Sequence, residues 1–180
     1  MMADPEAMKR FGNTVVVWDL HTRQPKKIFD VPGAPLEIRC AWGARSNYCF
    51  TTTALTSKIW LIYEDDAGEW QAQAVADIGD ASKIPLPVDI SISADDGLLW
   101  VDTWNDGMVR MFDISDPASP TLLHYVNTRD WSVVPSQQTL EAVGDLGPEG
   151  LAFVPQADSP TGRPLLLVGN EVSGTTTVFT

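Results

Sequence analysis

The chain reads as all-β, a β-propeller fragment of about three blades of four-stranded antiparallel sheets, and three observations predict this. Apolar residues fall in short β-branched and aromatic runs such as Val15-Val16-Val17-Trp18, Lys58-Ile59-Trp60-Leu61-Ile62-Tyr63 and Leu98-Leu99-Trp100-Val101, each bounded by polar, Gly or Pro residues. No stretch carries a sustained helical stripe; residues 136–143 are the one helical turn the pattern suggests. The runs also repeat, with the aromatic of every third strand recurring at Trp18, Tyr63 and Phe112, and a repeat of roughly 40–50 residues holding four strands has the size of a propeller blade.

The elements follow in order. Residues 13–20 and 25–31 are the last two strands of a first blade. Residues 35–42, 48–55, 57–64 and 69–78 make one full unit, and 87–93, 97–104, 107–114 and 121–126 make the next. A connection over 127–148, containing Arg129, Asp130 and Trp131, separates these from three final strands at 149–154, 164–170 and 175–179. Loops of that length usually carry function or move. Asp19 and Asp113 directly follow the third-strand aromatic, and the expected role is turn chemistry, a carboxylate accepting backbone N–H bonds. Three blades' worth of strands do not close a ring, so open strand edges and self-association are expected.

Composition narrows the function classes. The 180 residues include 12 Lys and Arg against 24 Asp and Glu, a net charge of −12, which argues against nucleic acid or an anionic membrane as partner. No apolar run approaches the roughly 18 residues of a membrane span, and residues 1–12 lack the apolar core of a signal peptide. With two cysteines, Cys40 and Cys49, no disulfide framework is expected, and a cytoplasmic, reducing setting fits.

Four residues stand out at the starts of first strands: Glu37, Arg39, Asp89 and Glu149. First strands line a propeller's central channel, so a ring of carboxylates there either holds a hard cation such as calcium or accepts N–H bonds from its own turns, with Arg39 neutralising its neighbours. If Trp42 pairs with Tyr48, Cys40 and Cys49 point to opposite faces and share neither a disulfide nor a metal. They are then buried small residues, or thiols whose only nearby cations are Arg39 and Arg45. His21 falls in a polar turn and His124 on an outer strand, both surface positions. No phosphate loop, nucleophile elbow or zinc spacing occurs.

Over about residues 6–125 the chain resembles the selenium-binding protein family, whose members include methanethiol oxidases. The segments that carry the resemblance are Gly12-Asn13-Thr14-Val15-Val16-Val17-Trp18-Asp19 and Pro35-Leu36-Glu37-Ile38-Arg39. Val88-Asp89-Ile90-Ser91 with Asp95-Asp96, and Phe112-Asp113-Ile114-Ser115-Asp116-Pro117, extend it. The resemblance implies a seven-bladed parent propeller, oxidation of methanethiol with oxygen at histidine-bound copper, or selenium held through cysteine. Neither His21 nor His124 matches a ligand position of that family.

The remainder, including Asp145-Leu146-Gly147-Pro148-Glu149-Gly150-Leu151 and Pro164-Leu165-Leu166-Leu167-Val168-Gly169-Asn170, is similar instead to choice-of-anchor and phytase-like esterase propeller proteins. The implied organisation is family-like blades over 1–126, the connection over 127–148 and a partial blade of a different family over 149–180. The functional expectation is a methanethiol oxidase-like propeller segment without catalysis of its own; the alternative is a non-enzymatic scaffold or interaction module.

Overall fold

The computed structural model describes residue 6 and residues 9–43, 47–79 and 84–180. Arg45 lies outside the described residues.

Thirteen strands among the described residues form four antiparallel sheets, each a simple meander in chain order. The first pairs β1 (Thr14–Asp19) with β2 (Gln24–Asp30). The second contains β3 (Pro35–Cys40), β4 (Tyr48–Thr53), β5 (Lys58–Glu64) and β6 (Trp70–Asp77). The third contains β7 (Pro87–Ile92), β8 (Leu98–Thr103), β9 (Met108–Asp113) and β10 (Thr121–Asn127). The last contains β11 (Pro148–Val154), β12 (Leu165–Asn170) and β13 (Thr175–Phe179). The expected strand pattern is therefore present, two full four-stranded units flanked by partial ones.

Alternation along the strands explains how the sheets stack. Successive side chains of a strand point to opposite faces, so Leu99 and Val101 of β8 face one way and Trp100 the other. Leu99 and Val101 join Phe50, Ile59, Leu61, Ile90, Ile92, Phe112 and Ile114 in the core between the β3–β6 and β7–β10 sheets. Trp100 joins Val109, Leu151, Leu166 and Val168 in a second core against the β11–β13 sheet, where its ring stacks on Phe153 at 4.9 Å. The β7–β10 sheet is thus covered on both faces, and every residue of β7 is buried. The β1–β2 hairpin is mostly exposed, Trp18, Leu20 and Ile28 included.

The same turn closes the hairpin between second and third strands in all three larger sheets. Ser57, Gly107 and Gly174 donate their N–H to Thr53, Thr103 and Asn170, and each has positive φ. The aspartates after the third-strand aromatics act as expected: Asp19 accepts from the N–H groups of His21 and Thr22, and Asp113 from Ser115.

The 127–148 connection is pinned rather than loose. It contains the short helix α1 (Leu140–Val143), with Val143 fully buried and its carbonyl accepting from Asp130 N–H at 2.8 Å. Asp145 accepts from Thr128, Thr175 and Thr177, tying the connection to β13. The Arg129 guanidinium lies 3.8 Å from the Trp131 ring centre. No helix among the described residues is long and apolar enough to cross a membrane.

Cys40 and Cys49 are disulfide-bonded, correcting the expectation that they face apart. The ladder runs Cys40 against Cys49, with Ala41 N–H bonded to Tyr48 O at 3.0 Å, one residue short of the expected Trp42–Tyr48 pair. Trp42 leaves the ladder because its N–H and that of Gly43 donate to the two carboxylate oxygens of Asp96, at 2.7 and 2.8 Å. A one-residue register change turns a side chain to the other face, which brings the two sulfurs together. With both joined there is no free thiol among the described residues, and cysteine usage no longer argues for a reducing compartment.

Candidate functional site at the inner strand edge

The first strands of the three larger sheets share an irregularity that places the sequence-predicted residues. Each loses register at its carboxylate: between Pro35 and Ile38 around Glu37, between Pro87 and Ile90 around Asp89, and between Pro148 and Gly150 around Glu149. A β-bulge of this kind re-aims a side chain and frees a backbone N–H from the ladder.

Three of the four residues form one network. Arg39 donates to Glu37 Oε2 at 2.6 Å and to Asp89 Oδ1 at 3.1 Å. Asp89, nearly buried, also accepts from its neighbour Ile90 N–H and, across the next interface, from Leu151 N–H, both at 2.7 Å. One carboxylate thereby joins three successive sheets. Burial still outweighs these donors, and the Asp89 pKa is raised.

Glu149 joins this network only electrostatically. Its side chain hydrogen-bonds Glu171, which together with partial desolvation raises its pKa. The reading of these carboxylates as a cation ring is not supported, since Arg39 takes up two of them, and among the described residues no three His, Cys, Asp or Glu side chains are grouped to hold a metal.

Asp102 went unnoticed in the sequence. It sits on β8 opposite the β7 bulge, is fully buried, and its Oδ1 accepts from Asp89 N–H at 2.8 Å, while Oδ2 has no hydrogen-bond partner. Burial pushes its pKa up to about 8. The signal in the sequence is Trp100-Val101-Asp102, a carboxylate directly after the apolar run Leu98-Leu99-Trp100-Val101 and on the same face of the strand as Trp100.

Two clefts adjoin one another, and Arg39 of the network borders the first. One of about 480 Å³ is lined by Arg39, Cys40, Trp42, Ile92, Leu151 and Phe153. A larger, mostly apolar one of about 620 Å³ opens between the last two sheets beside Trp100, Met111, Val126, Leu166 and Phe179, with His124 on its wall.

The residues present do not fit a histidine-bound copper. His21 is in the β1–β2 turn and His124 on β10, in different sheets, with the His124 ring stacked on Tyr125. Nor is there a free thiol for selenium among the described residues.

Comparison with known proteins agrees with this architecture. A methanethiol oxidase of Ruegeria pomeroyi is 72% identical over 120 residues, which are 67% of this chain and 28% of that protein. The chain therefore spans less than a third of that relative. A hypothetical selenium-binding protein from Sulfolobus tokodaii superposes with a TM-score of 0.68 at 23% identity, over 98% of this chain and 47% of the other. The Cps50 (Swd1) β-propeller domain of Myceliophteria thermophila matches at a TM-score of 0.65 and 10% identity, over 93% of this chain and 47% of that one. These likenesses identify the fold as propeller blades. The model of the 56 kDa selenium-binding protein family matches residues 3–138, ending inside the 127–148 connection, and the chain belongs to that family.

Proposed function

We propose that this chain supplies the middle blades of a methanethiol oxidase-like propeller and has no oxidase activity by itself. The observation that carries this reading is the pair of coverage figures, 67% of this chain but only 28% of the oxidase it matches. Oxidation of a thiol by oxygen calls for a redox metal with an open position and a pocket that excludes bulk water. The described residues offer two histidines in separate sheets and carboxylates, which favour hard cations over copper.

The alternative, a non-enzymatic scaffold or interaction module, draws support from the edges of β1 and β13, each of which pairs with a single strand among the described residues. Each sits at the end of its sheet where a further strand is missing relative to the four-stranded sheets.

Purified chain loaded with copper and then dialysed tests the first reading by metal content and by methanethiol-dependent oxygen uptake. Less than one retained copper per chain, and uptake no faster than with free copper, is expected. A stoichiometric site whose turnover disappears on replacing His21 or His124 would overturn it.

A further inference from the structure

The bulge in β7 sets two residues, Val88 and Asp89, against Asp102 alone. In the preceding sheet the residue opposite the β3 bulge is Thr52, which is neutral. Asp102 instead puts a carboxyl group in a fully buried place. It lies on the same face of β8 as Trp100, two residues away, and Trp100 stacks on Phe153 of β11. The carboxyl group therefore lies at the junction between the β7–β10 and β11–β13 sheets.

The charges around it offer no relief. Glu37 of β3, Asp89 of β7 and Glu149 of β11 all act on Asp102 as like charges, and Glu171, just after β12, hydrogen-bonds Glu149. Arg110, on a strand of this junction, and Arg39, on the β3 strand packed against β7, are both engaged elsewhere. Arg39 of β3 pairs with Glu37 and Asp89, and Arg110 of β9 pairs with Asp106 at 2.7 Å. An ionised carboxylate here would keep one oxygen buried, without a donor, among other carboxylates, and uncompensated buried charge is strongly disfavoured.

We propose that Asp102 is a proton-binding site: its neutral acid form is what the junction between the last two sheets requires, and removal of that proton loosens the β11–β13 sheet from the β7–β10 sheet. Desolvation is the main cause, and the pKa of about 8 follows. A carboxyl whose folded pKa is raised contributes stability that is complete below the ordinary carboxylate range. That contribution is lost as the pH rises to about 8, and beyond that the loss levels off. Within the window the folding constant falls by up to about tenfold per pH unit.

Asp102→Asn retains an oxygen to accept from Asp89 N–H and cannot ionise. Urea unfolding of the full chain and of this variant between pH 5 and 9 isolates Asp102, because every other carboxylate is common to both. The ratio of wild-type to variant folding constants should fall by about a hundredfold or more from pH 5 to pH 8. Parallel curves would overturn the proposal. Should the variant fail to fold, carbon NMR of the wild-type aspartate carboxyls decides: Asp102 should still be neutral at pH 6.5, and an ionised signal there refutes it. Hydrogen exchange, corrected for its intrinsic base catalysis, should accelerate between pH 5 and pH 8 more in β11–β13 than in β3–β6; equal acceleration contradicts the sheet-specific loosening. None of these readouts involves copper or thiol, so they stand apart from the fate of the oxidase reading.

Discussion

Arg39 holds together charges that come from two sheets. Its guanidinium is half-exposed, but Asp89, one of its two partners, is 7% exposed at the side chain. Replacing Arg39 with Met keeps much of the aliphatic stem and strands the buried Asp89 carboxylate beside Glu37. Loss of one partner from such a pair should cost about 2–3 kcal/mol, read as a lower urea midpoint with unchanged slope. Arg39→Lys should cost less, since it keeps the charge but not the fork that reaches both carboxylates. A midpoint unmoved by Met would mean that the network contributes nothing to folding.

At this scale the sequence was legible where a residue type recurred. Glu37, Asp89 and Glu149 are recognisable at corresponding places in successive units, and Arg39 beside them as the neutralising group. The cysteine pairing was not legible, because Asp96, more than fifty residues away, draws Trp42 and Gly43 out of the ladder. Asp102 was hidden for a related reason: its burial depends on a bulge in β7 and on the sheet packed over β8, neither of which its own strand announces.

Among the elements, the strands were the most readable, since alternation and turn residues are local signals. The connection at 127–148 reads in the sequence as a long loop of the kind that carries function or moves, and it is anchored by Val143 and by the Asp145 hydrogen bonds to Thr128, Thr175 and Thr177. Two of those partners, Thr175 and Thr177, lie 30 and 32 residues beyond Asp145, so local pattern does not reveal them. Gly144 makes the anchoring testable. Its φ is +76°, and a Cβ there would collide with the backbone carbonyl oxygen of Thr128. Gly144→Ala should therefore destabilise the chain by about 1–3 kcal/mol through strain and clash together, and should make the connection the first site cut by trypsin at Arg129. A variant as stable and as protease-resistant as the parent would show that the connection is free to move.

On the scale of the whole molecule, three sheets stack through two apolar cores, while a two-stranded sheet at one end and a three-stranded sheet at the other are each short of the four strands found between them. The relatives continue well beyond this span, and a sheet edge without its neighbour is a template for pairing with another chain. The central proposal is that this chain is a piece of a larger ring, and the molar mass in solution tests it most directly. Light scattering on the eluting protein at micromolar concentration should give dimers or larger species, above the 19.7 kDa of one chain. A sharp, monodisperse monomer that also unfolds cooperatively would contradict the account, because it would show that the open edges need no partner.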